Sequence, residues 1–194
     1  MEEVKLISVK RLFDLLISIL ALTLLILPMI FIALLVRFNS KGFALYWSDR
    51  VGLDEHIFKM PKFRSMQVDT PAIATHMMNN PNIYLSPVGR FLRKSSLDEL
   101  PQLWSILKGD MSLVGPRPAL FNQNDLIMLR REKGVNKLLP GITGWAQVNG
   151  RDELSITDKV VLDVEYLNRQ SFWLDIKILW MTFLKVVRCD GISH

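Results

Sequence analysis

The chain has 194 residues and a formal net charge of +5 at pH 7, with 49% hydrophobic and 22% charged residues. That is enough chain for one domain with a core, and too apolar for bulk disorder. The basic balance points to an anionic partner: a membrane surface, nucleic acid or a phosphorylated small molecule. Cys189 is the one cysteine, so no intrachain disulfide forms, and nothing local marks it as an activated thiol. His56, His76 and His194 are scattered, without the spacing of a zinc site.

From Leu12 to Val36 the only charge is Asp14. A helix of that length reaches about 38 Å, enough to cross a bilayer. A cleaved signal peptide fits poorly, because the run is too long and lacks a small-residue cleavage site. Pro28 interrupts the run and is expected to kink or break the helix. Both flanks are basic: Lys5, Lys10 and Arg11 before, Arg37 and Lys41 after. They give little orientation signal. A straight span, a re-entrant hairpin and a buried core helix all remain open on composition. Thr23 is near enough to help satisfy a carbonyl freed by Pro28, and Asp14 reads as a local ion pair with Arg11.

Beyond Gly42 the chain changes character. Phe43 to Gly52 reads as a short strand and turn. His56 to Met66 reads as a strand cut by Pro61. Arg50, Lys59, Lys62 and Arg64 form either a solvated basic face or a contact for phosphates or lipid headgroups. Residues 67 to 89 are loop-rich. In SSLDELPQLW, Ser95 with Asp98 and Ser96 with Glu99 both fit a capping box. Leu100, Leu103, Trp104 and Leu107 then recur at helical spacing up to Gly109. Asp98 and Glu99 thus lie at the positive end of a helix, just after Arg90, Arg93 and Lys94. Acids favour helix starts in any case. Alternatively, neighbours about 100° apart let one carboxylate attack while the other binds metal, with the nucleophile kept ionised by the helix end and the arginines.

MSLVGPRPAL fixes a rigid turn that presents Arg117, a side chain suited to bidentate phosphate contact. Residues 119 to 139 read as a polar helix. LLPGITGWAQVNGRDELS is a second rigid loop carrying Gln147, Asn149 and Arg151, with Trp145 either stacking on a ligand or packed in the core. It matches neither a P-loop nor a dinucleotide fingerprint. Residues 157 to 168 form a helix containing Asp163 and Glu165. Ser171 caps a last helix with a broad apolar stripe, packed on the body or lying in a membrane interface.

Four stretches together resemble one family. RKSSLDELPQLWSILKGDMSLVGPRP (Arg93 to Pro118), KRLFDLLIS (Lys10 to Ser18), KFRSM (Lys62 to Met66) and PGITGWAQVNGR (Pro140 to Arg151) occur in the order of the bacterial sugar transferases. These are the monotopic phosphoglycosyl transferases that act on polyprenyl phosphate. The likeness covers nearly the whole chain, and its length resembles the minimal members that consist of the catalytic unit. The resemblance implies an α/β, mostly helical fold. It has an N-terminal re-entrant membrane helix broken at Pro28 (residues 1–41), a compact cytoplasmic catalytic body (residues 42–194) and interfacial amphipathic helices. Small relatives often carry a serine before that proline; here the residue is Leu27.

The same resemblance implies transfer of a sugar 1-phosphate from a UDP-sugar to undecaprenyl phosphate, releasing UMP, as the first membrane step of a surface or glycoprotein glycan. Asp98 is then the nucleophile, and Glu99 helps hold Mg2+. Arg117, with Arg64 and Arg90, meets substrate phosphates. Gln147, Arg151 and Asp163 lie toward the nucleotide-sugar. An N-acetylated or modified amino sugar is the favoured donor. Membrane lipids are expected partners and a homodimer is an open one; the location is the cytoplasmic face of a bacterial inner membrane. Rival readings are a UDP-sugar hydrolase and a non-enzymatic membrane-anchored binding module. Nucleic-acid binding is a poor reading and no nucleic acid is expected as a partner, since no aromatic-basic repeat is present and the basic residues have a lipid-phosphate explanation.

Overall fold

The computed structural model describes residues 2–68, 70, 81–150 and 154–188. Arg151, His76, Cys189 and His194 lie outside the described residues. The first element, α1 (Glu2–Asn39), is one helix whose Val9–Asn39 portion is long and apolar enough to cross a membrane by length and composition. One stripe of it faces the rest of the protein. Asp14, Ser18, Ile32 and Val36 are buried, and Phe13, Ala21, Leu22, Met29 and Ala33 pack beside them. These positions recur every three or four residues, the spacing of a helix face. The opposite side leaves Leu16, Leu20, Leu24, Leu27 and Phe31 exposed.

Three details of α1 differ from the sequence reading. The helix runs unbroken through Pro28. Thr23 donates its hydroxyl to the Ile19 carbonyl at 2.8 Å, within its own turn, and not to a carbonyl near the proline. Asp14 and Arg11 do not pair locally. Arg11 donates to the Ile106 and Leu107 carbonyls at 2.6 and 3.0 Å, while Asp14 accepts from the Leu113 amide at 3.3 Å. Both side chains satisfy backbone groups of the body, and such buried groups are costly to leave without a partner.

A hairpin follows, β1 (Leu45–Val51) against β2 (Ile57–Phe63), antiparallel with Leu45 opposite Phe63 and Val51 opposite Ile57. Pro61 does not cut β2; it sits opposite Trp47. Ladder bonds join Gly52 to His56 and Arg64 to Ala44. Counting in twos from those pairs, Trp47 and Pro61 form a non-hydrogen-bonded pair, so the missing amide proton costs the ladder nothing.

The next helix, α2 (Pro87–Lys94), is capped by Ser86, which accepts from the Gly89 amide at 2.9 Å. A 3-10 turn over Leu97–Gln102 then leads into α3 (Leu103–Lys108), closed by Gly109 at φ +95°. The expected single helix with a capping box is absent. Ser95 bonds back to the Phe91 and Leu92 carbonyls to finish α2, and Ser96 makes no side-chain cap. Pro101 explains the change: lacking an amide proton, it cannot close an α-helical turn at that point.

The strand β3 (Ser112–Val114) runs parallel to β4 (Gly141–Thr143). Between them, α4 (Asn124–Glu132) is shorter than the expected polar helix, ending before Gly134 at φ +74°. A short α5 (Trp145–Asn149) follows β4. The chain then forms α6 (Ile156–Arg169), capped by Ser155, and α7 (Phe172–Arg188), where Ser171 accepts from the Leu174 amide at 3.2 Å. The fold is mostly helical. Its main core gathers Met60, Leu103, Ile106, Met111, Val114, Tyr166 and Ile178, with Phe13 and Leu22 of α1 packed against it. A second cluster joins Ile32 and Val36 of α1 to Phe63 and Leu92. In α7, Ile178 is fully buried while Trp173, Trp180 and Phe183 are exposed, so this helix packs on the body and shows an apolar face outward.

Candidate active site

Asp98 and Glu99 lie on the 3-10 turn that packs against β2. Alternation along the hairpin decides which basic side chains reach them. Arg50, Ser48, Phe58, Met60 and Lys62 share one face by register. Lys62 Nζ donates to Glu99 Oε1 at 2.8 Å. Arg117 donates to the same oxygen at 2.6 Å and to Oε2 at 3.5 Å. Burial pushes the Glu99 carboxyl up, but Arg117 and Lys62 together more than reverse this and hold it well below its ordinary value.

Asp98 is buried at 7% exposure. Burial pushes its pKa up and the Glu99 charge adds to this, against the opposing pull of Lys62, Arg93 and Arg117. The two neighbouring acids are therefore driven apart: Glu99 is locked ionised, while Asp98 is the one whose charge is sensitive to what approaches. Lys62 is pushed down by burial despite Glu99. Arg50, donating to the Pro118 carbonyl at 3.1 Å, is pushed down to about 10 by burial and by Arg117. Just before the pair, Ser96 stands at φ +56°, a conformation unusual for a residue with a side chain and often found where a site sets its geometry.

Arg117 is held by its backbone. The Gly115 amide donates to Thr143 O at 2.9 Å, and the Gly141 amide donates to Pro116 O at 2.9 Å. Arg130 donates to Arg117 O at 2.8 Å. Gly144 packs so closely on the Gly115 carbonyl that a Cβ there has no room. The two glycine-rich loops read from the sequence are thus one backbone-to-backbone unit.

Asp163 is buried and pairs with Arg130 at 2.7 and 2.9 Å, away from the acid pair but one link from the Arg117 backbone. Burial raises its carboxyl in spite of that arginine. Gln147 donates to Ile142 O at 2.8 Å, with its side-chain oxygen buried and unpartnered among the described residues. Arg64 reaches the Lys41 carbonyl at 3.3 Å, and Arg90 is exposed on α2. Trp145 donates to Glu165 at 2.9 Å, lies against the main core and carries Lys177 over its ring at 5.6 Å. Its ring is packed as a structural one.

Lys62 and Arg50 were cations that sequence reasoning left off the site. For Lys62 the signal lay in the KFRSM stretch. Among the described residues no three His, Cys, Asp or Glu side chains come together as a metal site. Two adjacent carboxylates still form a donor set that suits magnesium, which commonly takes one or two carboxylates and completes its shell with water and phosphate oxygens.

Residues 5–189 match the family described as bacterial sugar transferase. The chain is 41% identical over 187 residues to an uncharacterized sugar transferase, EpsL, of Bacillus subtilis, covering 95% of this chain and 90% of that protein. It is 40% identical over 189 residues to an undecaprenyl-phosphate glucose phosphotransferase of Komagataeibacter xylinus, covering 92% of this chain and 36% of that one. An undecaprenyl-phosphate galactose phosphotransferase of Salmonella typhimurium is 37% identical over 200 residues, with 94% and 41% covered. The chain spans well under half the length of the latter two proteins. It belongs to the bacterial sugar transferase family, the monotopic polyprenyl-phosphate phosphoglycosyl transferases.

Proposed function

We propose that this protein transfers a sugar 1-phosphate from a UDP-sugar to undecaprenyl phosphate through a covalent intermediate on Asp98. The observation that carries this reading is a buried pair of adjacent acids on which four cations act. Lys62, Arg117, Arg93 and Arg50 all act electrostatically on Asp98 or Glu99. A diphosphate is attracted into that field.

Asp98 attacks the sugar-bearing phosphorus, and the bond from that phosphorus to the UMP oxygen breaks, so UMP departs with the electron pair. An oxygen of the lipid phosphate then attacks the same phosphorus. The acyl–phosphate bond breaks, and Asp98 returns as a carboxylate. Lys62 and Arg117 keep Glu99 in place and offset charge as two anions meet. Arg117, at 37% side-chain exposure, is the cation of the pair open to a phosphate. Glu99 would hold a magnesium ion, which would supply further charge neutralisation at the diphosphate. Asp163 positions the Arg117 loop through Arg130.

The membrane arrangement we infer has residues 1–41 as the membrane unit, with α1 unbroken through Pro28, and the remaining body on the cytoplasmic face. Asp14 and Val36 are both buried against that body. A straight helix between them measures about 33 Å, so the body holds one face of α1 along that length. The exposed Trp173, Trp180 and Phe183 of α7 suit the interfacial level beside it.

UMP release is the test, read over a panel of UDP-sugars with and without undecaprenyl phosphate and magnesium. Relatives bear glucose and galactose names, so those donors join the N-acetylated and modified amino sugars on the panel. Lipid- and metal-dependent turnover with one donor supports the reading and identifies the sugar. Sustained release without lipid makes the protein a hydrolase instead, and donor binding without any release makes it a binding module.

A further inference from the structure

We infer that Asp14 and Lys10 of the membrane helix are positioning residues for Arg117, so that catalysis requires α1 to be docked on β3. This rests on the transferase reading above.

The argument begins with β3. Among the described residues β4 pairs with it on one side only. The Ser112 amide donates to Pro140 O at 2.9 Å, and the Gly115 amide to Thr143 O at 2.9 Å. The intervening Leu113 amide turns away from β4 and donates to Asp14 Oδ1 at 3.3 Å. The Val114 carbonyl accepts from Lys10 Nζ at 2.9 Å. Two side chains of α1 thus do the work of a neighbouring strand along the open edge of β3, where bare backbone groups are otherwise a liability.

Lys10 is itself fixed. Its three N–H donors meet Val114 O, the Tyr166 hydroxyl at 3.3 Å and Asp175 Oδ2 at 2.5 Å. Tyr166 in turn donates to Asp175 Oδ1 at 2.7 Å. At the next residue, Arg11 caps the C-terminal carbonyls of α3, the helix that continues from the Asp98–Glu99 turn. The membrane helix therefore grips both segments that form the site. It holds the end of α3 on one side, and on the other the strand that delivers Arg117 three residues after Val114. Arg117 meets Glu99 at 2.6 Å, a contact that a small shift of β3 breaks.

The test uses the full chain in lipid nanodiscs, with Asp14→Leu, Asp14→Asn and Lys10→Met. The Asn side chain still offers an oxygen to the Leu113 amide; Leu does not. Expected for Asp14→Leu is a fall in kcat on the order of 10- to 100-fold, the scale of a misplacement near 1 Å, with donor KM within about threefold. Asp14→Asn keeps kcat near wild type, and Lys10→Met behaves like Asp14→Leu. In an Arg117→Lys background the Asp14→Leu effect shrinks toward one, because both changes act on the same contact. Amide exchange across residues 111–118 speeds up in Asp14→Leu and not in Asp14→Asn. That readout needs no turnover, so it stands even if no donor is active and the transferase reading itself has failed. Lowered thermal stability with unchanged kcat in the folded fraction, unchanged exchange at residues 111–118, or effects that multiply with Arg117→Lys would overturn the inference.

Discussion

Two buried ion clusters in this protein make a useful contrast. Around Lys10 the network is closed: three N–H donors have three acceptors, and both Asp175 oxygens are used. Around Asp98 and Glu99 it is open. Lys62 and Arg117 converge on Glu99, while Arg93 and Arg50 add positive field at Asp98 and Glu99. A closed cluster gives a fixed geometry. An open one, with several cations acting on one acid that is pushed up, responds to an approaching anion. Burial alone does not separate structural charge from chemical charge; the balance of partners does.

The contrast breaks most sharply at Asp98. Asp98→Asn, nearly isosteric, is expected to lower UMP release by at least about a thousand-fold, on the scale of losing a nucleophile. Its thermal midpoint should stay close to wild type. A variant that retains a tenth of the activity would remove Asp98 from the chemical role.

Glu99→Gln leaves Lys62 and Arg117 in place without their anion. A loss on the order of 100-fold in kcat is expected, the cost of a misplaced electrostatic group. The pH profile of a pre-steady-state UMP burst sharpens this. Asp98 works ionised and is pushed above its ordinary 3.8, so activity falls as pH drops through that raised value. Lys62 works protonated and is pushed below its ordinary 10.5, so activity also falls as pH rises through the lowered one. Removing the Glu99 charge moves both limbs to lower pH; limbs that stay put would mean these groups do not set the profile. For stability the sign is different. Glu99 is depressed, so its contribution is complete above its unfolded value and lost only as pH falls through the depressed one.

At Asp175, in the closed cluster, a loss in folding is expected beside any loss in kcat. Asp175→Leu strands Lys10 at a buried position and should cost about 3–5 kcal/mol, read by denaturant unfolding in detergent. Ile106→Ala, at a fully buried site in the main core, provides the uncharged comparison at about 2–5 kcal/mol. The smallest effect is expected at Glu55, whose pair with Arg131 is on the surface. Glu55→Gln should leave both the thermal midpoint and kcat unchanged within error, since exposed pairs are screened by water and salt.

Several features were readable without coordinates because they depend on neighbours in the chain. The apolar run of α1, the Ser171 cap of α7, the turn around Arg117 and the adjacent acids are all local. The mistakes arose where a local rule met a distant partner. Ser95 and Ser96 have capping-box spacing, yet Pro101 turns the segment into a 3-10 helix. Pro61 looks like a strand breaker, yet the register with β1 places it at a non-hydrogen-bonded pair. Asp14 and Arg11 are spaced for a local pair, yet each bonds the backbone of another element.

The sequence by itself determined that this protein carries a long apolar helix and a dyad of acids within an arginine-rich frame, since composition and spacing along the chain suffice for both. Only the tertiary structure decided which cations serve that dyad. Of the basic residues between Arg50 and Arg93, alternation on the hairpin turns Lys62 and Arg50 inward, Arg64 goes to the Lys41 carbonyl, and Arg90 faces solvent. The physical reason is that a side chain's electrostatic partner is set by which face of its strand or helix is buried. That face is chosen by packing against elements far away in the chain.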